Sequence, residues 1–151
     1  MKRRLAREIA IQSLYHMEMN EVDAEEAVSM LIAEAAGENE SEVELSDVNK
    51  TTTFVLELVG GTWEHKAAID EMLAGYLKNW QVSRLSKVDR QVLRLAVYEM
   101  VFRSDVPGKV AVNEAIELAK HFGVEESGKF VNGVLGKMIH DLETLKNKNN
   151  M

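Results

Sequence analysis

Apolar residues recur every three or four positions along most of this chain, and the pattern is clearest between Val88 and Leu145. Three stretches there have similar length and carry an apolar stripe on one face, as amphipathic helices do. Pro107–Gly108 and Gly123 separate them. The stripes are formed by Val88, Val92, Leu95, Ala96 and Met100, then by Val112, Ala115, Ile116, Ala119 and Phe122, and last by Phe130, Val131, Val134, Leu135, Met138, Ile139, Leu142 and Leu145.

Capping residues mark where several of these helices begin. Ser86 is followed three residues later by Asp89, the arrangement of a capping box, and Ser127 or the pair Glu125–Glu126 can open the last helix. Gly123 is the residue type that accepts a left-handed conformation after a helix. No segment in this half alternates with period two, so the pattern predicts an antiparallel helical bundle.

The first half is also helical by pattern. Helices are expected over 3–19, from Asp23 to Gly37, from Ser46 to Gly60–Gly61, and over 63–77. An acidic loop, 37–46, separates the second and third, and 78–86 links the halves with Trp80 at their junction. The predicted fold is therefore all-α. We expect two small antiparallel bundles of about seven helices, packed as one compact domain over 1–151 with subdomains 1–79 and 80–146.

Composition limits the class of protein. The chain has 151 residues, 46% hydrophobic residues, one proline and no cysteine, which describes a folded helical protein without disulfides or thiol chemistry. No apolar segment approaches a signal peptide or a membrane span, so we expect a cytoplasmic protein that does not enter membranes. The net charge is −7, but ten of the 25 acidic residues lie between residues 21 and 47, where no lysine or arginine occurs. The rest of the chain holds 18 basic residues against 15 acidic ones and can therefore present basic patches.

One such patch is expected on the first helix. Arg4, Ile11 and Tyr15 share one side, and Arg3 and Arg7 lie beside them. Guanidinium groups bind phosphate and an aromatic ring can stack on an unpaired base, so the helix is a candidate RNA-binding surface. The alternative is a solvated basic end in which Tyr15 is half buried, and spacing alone favours that alternative.

A second candidate patch combines the end of one helix with the start of the next. Lys120 and His121 precede Lys129, Phe130 and Asn132, and a helix N-terminus offers N–H groups to phosphate. By pattern alone, Phe130 is more often a core residue than a stacking platform. Three glycines of the last helix suggest positions where another helix or a ligand approaches the backbone closely: Gly128, Gly133 and Gly136.

Catalytic and metal chemistry is hard to assemble from these residues. The four histidines have no ligand-type spacing, and no phosphate-binding glycine loop or nucleophile–base pair is present. We therefore expect neither an enzyme nor a cofactor or metal.

Several motifs in order resemble one family. The strings RRLAREIAIQSLY (3–15), VDRQVLRLAVYE (88–99), VNEAIELAKHFG (112–123) and KFVNGVL (129–135) are similar to those of the NusB family of bacterial transcription antitermination factors. The likeness covers nearly the whole chain and is weakest over about 21–60, where this chain has its acidic loop.

The resemblance implies a non-catalytic adaptor. It would bind boxA-type single-stranded RNA of nascent transcripts, including those of ribosomal RNA operons, together with NusE, a ribosomal small-subunit protein. The complex would act on elongating RNA polymerase with other Nus factors, and the free protein could form a homodimer. The implied RNA-binding residues are Arg3, Arg4, Arg7, Gln12, Tyr15, Lys120, Lys129, Phe130 and Asn132, and the implied partner-binding residues are Asp89, Arg94 and Glu99.

Two other readings stay open at this point. In one, the protein is a protein–protein module whose contact surface is the acidic segment 21–47 and whose basic patch is incidental. In the other, the chain corresponds to the helical modules fused to RNA methyltransferases. It is too short to hold their cofactor-binding domain and has no G-x-G-x-x-G motif, so it would act without catalysis.

Overall fold

The computed structural model describes residues 3–38, 45–77, 81–103 and 105–149, and this part of the chain is helical with no strand. Two predictions fall outside the described residues. Residues 39–44 of the predicted acidic loop are not among them, and neither are residues 78–80, which include Trp80. The all-α prediction is confirmed. The α-helices are α1 Arg3–Asn20, α2 Ala24–Glu38, α3 Leu45–Glu64, α4 Lys66–Ala74, α5 Lys87–Val97, α6 Gly108–Phe122, α7 Glu125–His140 and α8 Leu142–Asn149.

The chain divides into two compact units, Met1–Trp63 and Glu64–Met151. The sequence predicts subdomains 1–79 and 80–146, and the boundary between the two compact units in the chain falls at the end of α3. The helix α4 belongs to the second unit because it packs on α5.

In the first unit, α1 packs against α2. Asp23 caps α2 as expected, because its Oδ1 accepts a hydrogen bond from the Glu26 amide at 2.8 Å. Glu21 has a left-handed φ of 53° in the connection between the two helices. The side of α1 predicted to face the core is buried: Ala6, Ile9, Ala10, Ser13, Leu14 and Met17.

One predicted helix end in this unit is wrong, because α3 continues through Gly60 and Gly61 to Glu64. The helix α2 is described to Glu38, one residue beyond its predicted end at Gly37. A glycine favours the end of a helix mainly where it adopts the left-handed conformation, and none of the described glycines has a positive φ.

In the second unit, α5 is the central helix and contacts α4, α6 and α7. Each of its residues from Arg90 to Val97 is buried. Ser86 caps it as predicted, because the Ser86 hydroxyl accepts a hydrogen bond from the Asp89 amide at 3.1 Å. Arg90 lies at its start and donates to the carbonyls of Val82, Ser83 and Leu85 at 3.1, 2.9 and 3.2 Å, respectively. This residue therefore ties the short 3-10 turn Val82–Arg84 to the helix.

Three features of this unit depart from the predicted pattern. The end of α5 widens into a π-helical turn, Tyr98–Phe102, where the Phe102 ring lies 4.3 Å from the ring of His65. Gly123 ends α6 with φ −110° and ψ −146°, so the predicted left-handed cap is wrong. The last predicted helix is two helices, α7 and α8, separated by a turn at Asp141.

Candidate nucleic-acid interface

Four of the candidate RNA-binding side chains on α1 are exposed, and three of them form one polar side of the helix. Arg4, Gln12 and Tyr15 lie within about 80° of one another at 100° per residue, and each is exposed. Tyr15 is 39% exposed, so its ring can take a stacking partner on one side. This strip has the length and chemistry to follow a short run of single-stranded nucleic acid.

Arg3 is the fourth exposed candidate, and it lies at the edge of that strip. Its guanidinium lies 4.8 Å from the centre of the Phe54 ring on α3. Such a cation–π contact orients the guanidinium but leaves its N–H groups available to a phosphate.

Arg7 is placed differently from the other two arginines. It is only 4% exposed, and Ile11 on the same side of the helix is 2% exposed. The buried residues of α1 cover an arc of about 200° at 100° per residue, which is wider than one apolar stripe. The side chain of Arg7 is therefore part of the packed side of α1, and its direct contact with a phosphate is less favoured than that of Arg3 or Arg4.

The second candidate patch is formed where α6 ends and α7 begins. Lys120, Lys129 and Asn132 are exposed there, and Phe130 is half buried. Gly128 explains how Lys120 reaches the start of α7, because a Cβ at position 128 would lie 2.9 Å from its Cγ. The close approach expected at Gly128 is thus made by a side chain of the preceding helix. It places the lysine stem against the N-terminal turns of α7.

Gly133 lies one turn after Lys129, and the structure around it is open. A Cβ added there would meet no heavy atom within 4 Å among the described residues. No helix in the described part of the chain therefore requires a glycine at this position. Its exposed backbone adjoins Asn132, on the same side of α7 as Lys129.

Two of the three candidate partner-binding residues lie inside the second unit. Arg94 is 7% exposed, and its Nε and Nη2 donate to Asp70 Oδ1 and Oδ2, each at 2.8 Å. Glu99 in the π-helical turn is 2% exposed. Both residues shape the packing of α5, and neither presents its charge at an open surface.

Asp89, the third candidate, is at an accessible site. It lines a cavity of about 280 Å³ together with Phe130 of α7. The Ser127 hydroxyl donates a weak hydrogen bond to Asp89 Oδ2 at 3.4 Å, and Asp89 Oδ1 is buried with no hydrogen-bond partner in the described part of the chain. The structure thus brings the candidate partner residue and the candidate stacking ring to one cavity.

Val124 at the mouth of this cavity was not among the candidates. It precedes α7, lines the same cavity and is 63% exposed, unlike the buried valines of the core. A signal was available in the sequence, because a valine occupies the position before a helix where serine, threonine or aspartate is usual.

The described residues provide neither a metal-binding cluster nor a membrane-spanning helix. They hold no group of three or more histidine, aspartate or glutamate side chains placed to bind a metal ion. Within the same residues, no helix is long and apolar enough to cross a membrane.

Comparisons with known proteins agree on one family. The model of the NusB family matches residues 4–140. The transcription antitermination protein NusB of Bacillus velezensis is 43% identical over 144 residues, covering 95% of this chain and 100% of that protein. The structure of T. maritima NusB superposes with a TM-score of 0.77 at 35% identity, covering 91% of this chain and 89% of that one. A solved complex of the antitermination factors NusB and NusE with dsRNA contains a chain that superposes with a TM-score of 0.69 at 26% identity, covering 98% of this chain and 99% of that chain.

Proposed function

The chain belongs to the NusB family, and from this membership we propose that it is a transcription antitermination factor that binds boxA-type RNA of nascent transcripts together with NusE. The observation that carries this function is the solved complex of NusB and NusE with dsRNA, whose NusB-like chain aligns with 98% of this one. The transcripts include those of ribosomal RNA operons.

Different side chains of the two RNA-binding surfaces contact the phosphates and the bases of the RNA. Arg3 and Arg4 on α1, with Lys120 and Lys129 beside the start of α7, bind phosphate groups. Tyr15 and Phe130 stack on unpaired bases, and the amides of Gln12 and Asn132 hydrogen-bond to base edges. Arg7 acts from within the packed side of α1, where it holds the helix that presents the other arginines.

NusE binds at the start of α5. Asp89 is the residue that contacts it, because this carboxylate is accessible at the cavity that also holds Phe130. Arg94 and Glu99 support the contact indirectly by fixing α5 in place. Asp89 Oδ2 accepts only a weak hydrogen bond from Ser127, at 3.4 Å, so this oxygen can accept a further hydrogen bond from a partner group.

The protein acts as a non-catalytic adaptor. Bound to RNA and NusE, it joins elongating RNA polymerase and other Nus factors in the cytoplasm and opposes termination. The homodimer of the free protein stays a prediction of the sequence, which sedimentation of the protein without RNA would test.

The test is fluorescence anisotropy of a labelled boxA-type RNA titrated with this protein, with and without NusE, over a range of salt concentrations. Binding should be saturable, weakened by salt and tightened by NusE. The double variant Arg3→Ala/Arg4→Ala should lower the magnitude of the salt slope by about 1.4, since each contact to single-stranded nucleic acid contributes about 0.7.

The matched control is Lys50→Ala/Lys109→Ala, which removes the same charge from two exposed positions outside both patches. An equal fall of the slope in both double variants would mean that net charge alone governs binding. Flat titration curves with NusE present would contradict the proposed function.

A further inference from the structure

A groove on the second unit lies between α4 and α8, away from the residues assigned to RNA and NusE. Its volume is about 660 Å³, within the range of sites that hold a ligand or several side chains. Ala68 and Met72 of α4 and Leu145 of α8 supply apolar surface. The groove therefore offers apolar contact to an occupant as well as polar groups.

The polar groups of the groove are mainly acidic. Glu71 is exposed on α4, and its carboxylate makes no ion pair within the described part of the chain. Asp141 lies exposed in the turn between α7 and α8. Among the described residues that line the groove, Lys148 is the one cation, so these residues, which include the two carboxylates, carry a net negative charge.

Tyr76 holds one of these carboxylates in position. Its hydroxyl donates to Asp141 Oδ2 at 2.6 Å, which leaves Oδ1 to accept a hydrogen bond from an occupant. Partial burial, followed by the hydrogen bond and the charge of Asp141, raises the pKa of Tyr76 from 10.0 to about 12. The stabilisation from this pair is therefore fully present below pH 10 and is lost as the pH rises through 12. At neutral pH the pair is intact, and the carboxylate is preorganised.

We propose that this groove docks a basic peptide segment of a protein partner, with a lysine or arginine between Glu71 and Asp141 and an apolar side chain on Met72 and Leu145. Charge complementarity favours this occupant, because opposite charges across an interface steer association and like charges oppose it. The same carboxylates would repel the phosphates of RNA. The proposal does not depend on the RNA or NusE contacts.

Methyl spectra of the whole protein would test the proposal. The protein carries ¹³C-methyl methionine and is titrated with a short lysine–leucine peptide, with its glutamate–leucine counterpart and with a uridine oligonucleotide. The Met72 signal is identified among the eight methionines by its absence from Met72→Leu. The lysine–leucine peptide should shift this signal, and the other two probes should not.

Charge reversal provides the matched comparison. Glu71→Lys should weaken peptide binding about tenfold or more, because it replaces attraction by repulsion at the groove. Glu34→Lys makes the same change at an exposed position of α2 in the first unit, outside the groove lining, and should leave the affinity within about twofold, because this carboxylate does not contact the peptide. Circular dichroism establishes that both variants are folded.

Three results would overturn the proposal. Equal affinities of Glu71→Lys and Glu34→Lys would show that only net charge matters. A stationary Met72 signal at saturation would place the peptide elsewhere. A shift of this signal with the oligonucleotide or the glutamate–leucine peptide would assign the groove to a different class of ligand.

Discussion

The helices α5 and α7 are in contact within the second unit, and each carries polar residues that the sequence assigned to binding, but the structure uses those residues differently. On α5, Arg94 is buried and paired with Asp70. On α7, Lys129 and Asn132 are exposed. Beyond its first turn, α5 is buried on all sides from Arg90 to Val97, so a charged residue there, such as Arg94, must find a partner inside the unit. The comparison teaches that a charged residue is a candidate for binding only if its helix has an open side.

The largest expected effect comes from breaking the buried pair on α5. Arg94→Met leaves Asp70 without its bidentate partner, and the free energy of unfolding should fall by about 2–4 kcal/mol, somewhat less than the roughly 3–5 kcal/mol of a fully buried pair, because the Asp70 side chain is 28% exposed. Urea denaturation measures the loss. The control on α7 is Lys129→Met, which should change stability by no more than about 0.5 kcal/mol.

The same two variants also sharpen the assignment of NusE contacts. If Arg94→Met kept its stability and lost affinity for NusE, Arg94 would be a contact residue and the structural role given to it here would be wrong. Retained affinity in the folded fraction of the protein would support the role of Arg94 in fixing α5.

A second, smaller effect concerns the ring that α7 presents at the cavity. Phe130→Ala should weaken RNA binding by about 1–3 kcal/mol, the value of one lost base–aromatic stack. Anisotropy with labelled RNA measures it. Phe122→Ala is the control, because Phe122 is also half buried in this unit and lies outside the proposed stacking site. If both variants lost stability and kept their RNA affinity, Phe130 would be a core residue and not a stacking platform.

The smallest effect concerns how the two helices begin. Ser86→Ala removes the hydroxyl that caps α5 and should lower the free energy of unfolding by about 1 kcal/mol. The residue before α7 is Val124, which makes no side-chain capping bond, so Val124→Ser should raise stability by roughly 0.5 kcal/mol. Thermal denaturation of both variants provides the comparison. Changes of the same sign would contradict this account of the two helix starts.

Features that depend on neighbours in the sequence were predicted well. The caps at Asp23 and Ser86 each need only a side-chain oxygen and an amide three residues later, and both form. The apolar stripes were also predicted, because the period of a helix fixes which residues share a side. Helix ends were predicted less well, since a glycine such as Gly60 permits a turn without causing one.

Features that depend on tertiary contacts could not be predicted from the sequence pattern. Arg7 and Arg94 look like surface residues in the sequence, and their burial follows from how many sides of their helices are packed. The cavity beside Phe130 is lined by residues from two separate stretches of the chain, 84–89 and 124–130, so no local motif describes it. The resemblance to a family indicated Phe130 and Asp89, and the structure shows that they line the same space.

Gly133 affects the stability of the free protein. Nothing in the described chain lies close to the position of its missing side chain, and alanine there would stabilise the helix by about 1 kcal/mol. Selection for the stability of the free protein alone would therefore favour this substitution. The glycine lowers the stability of the folded chain by about 1 kcal/mol relative to alanine, and no contact among the described residues offsets this loss.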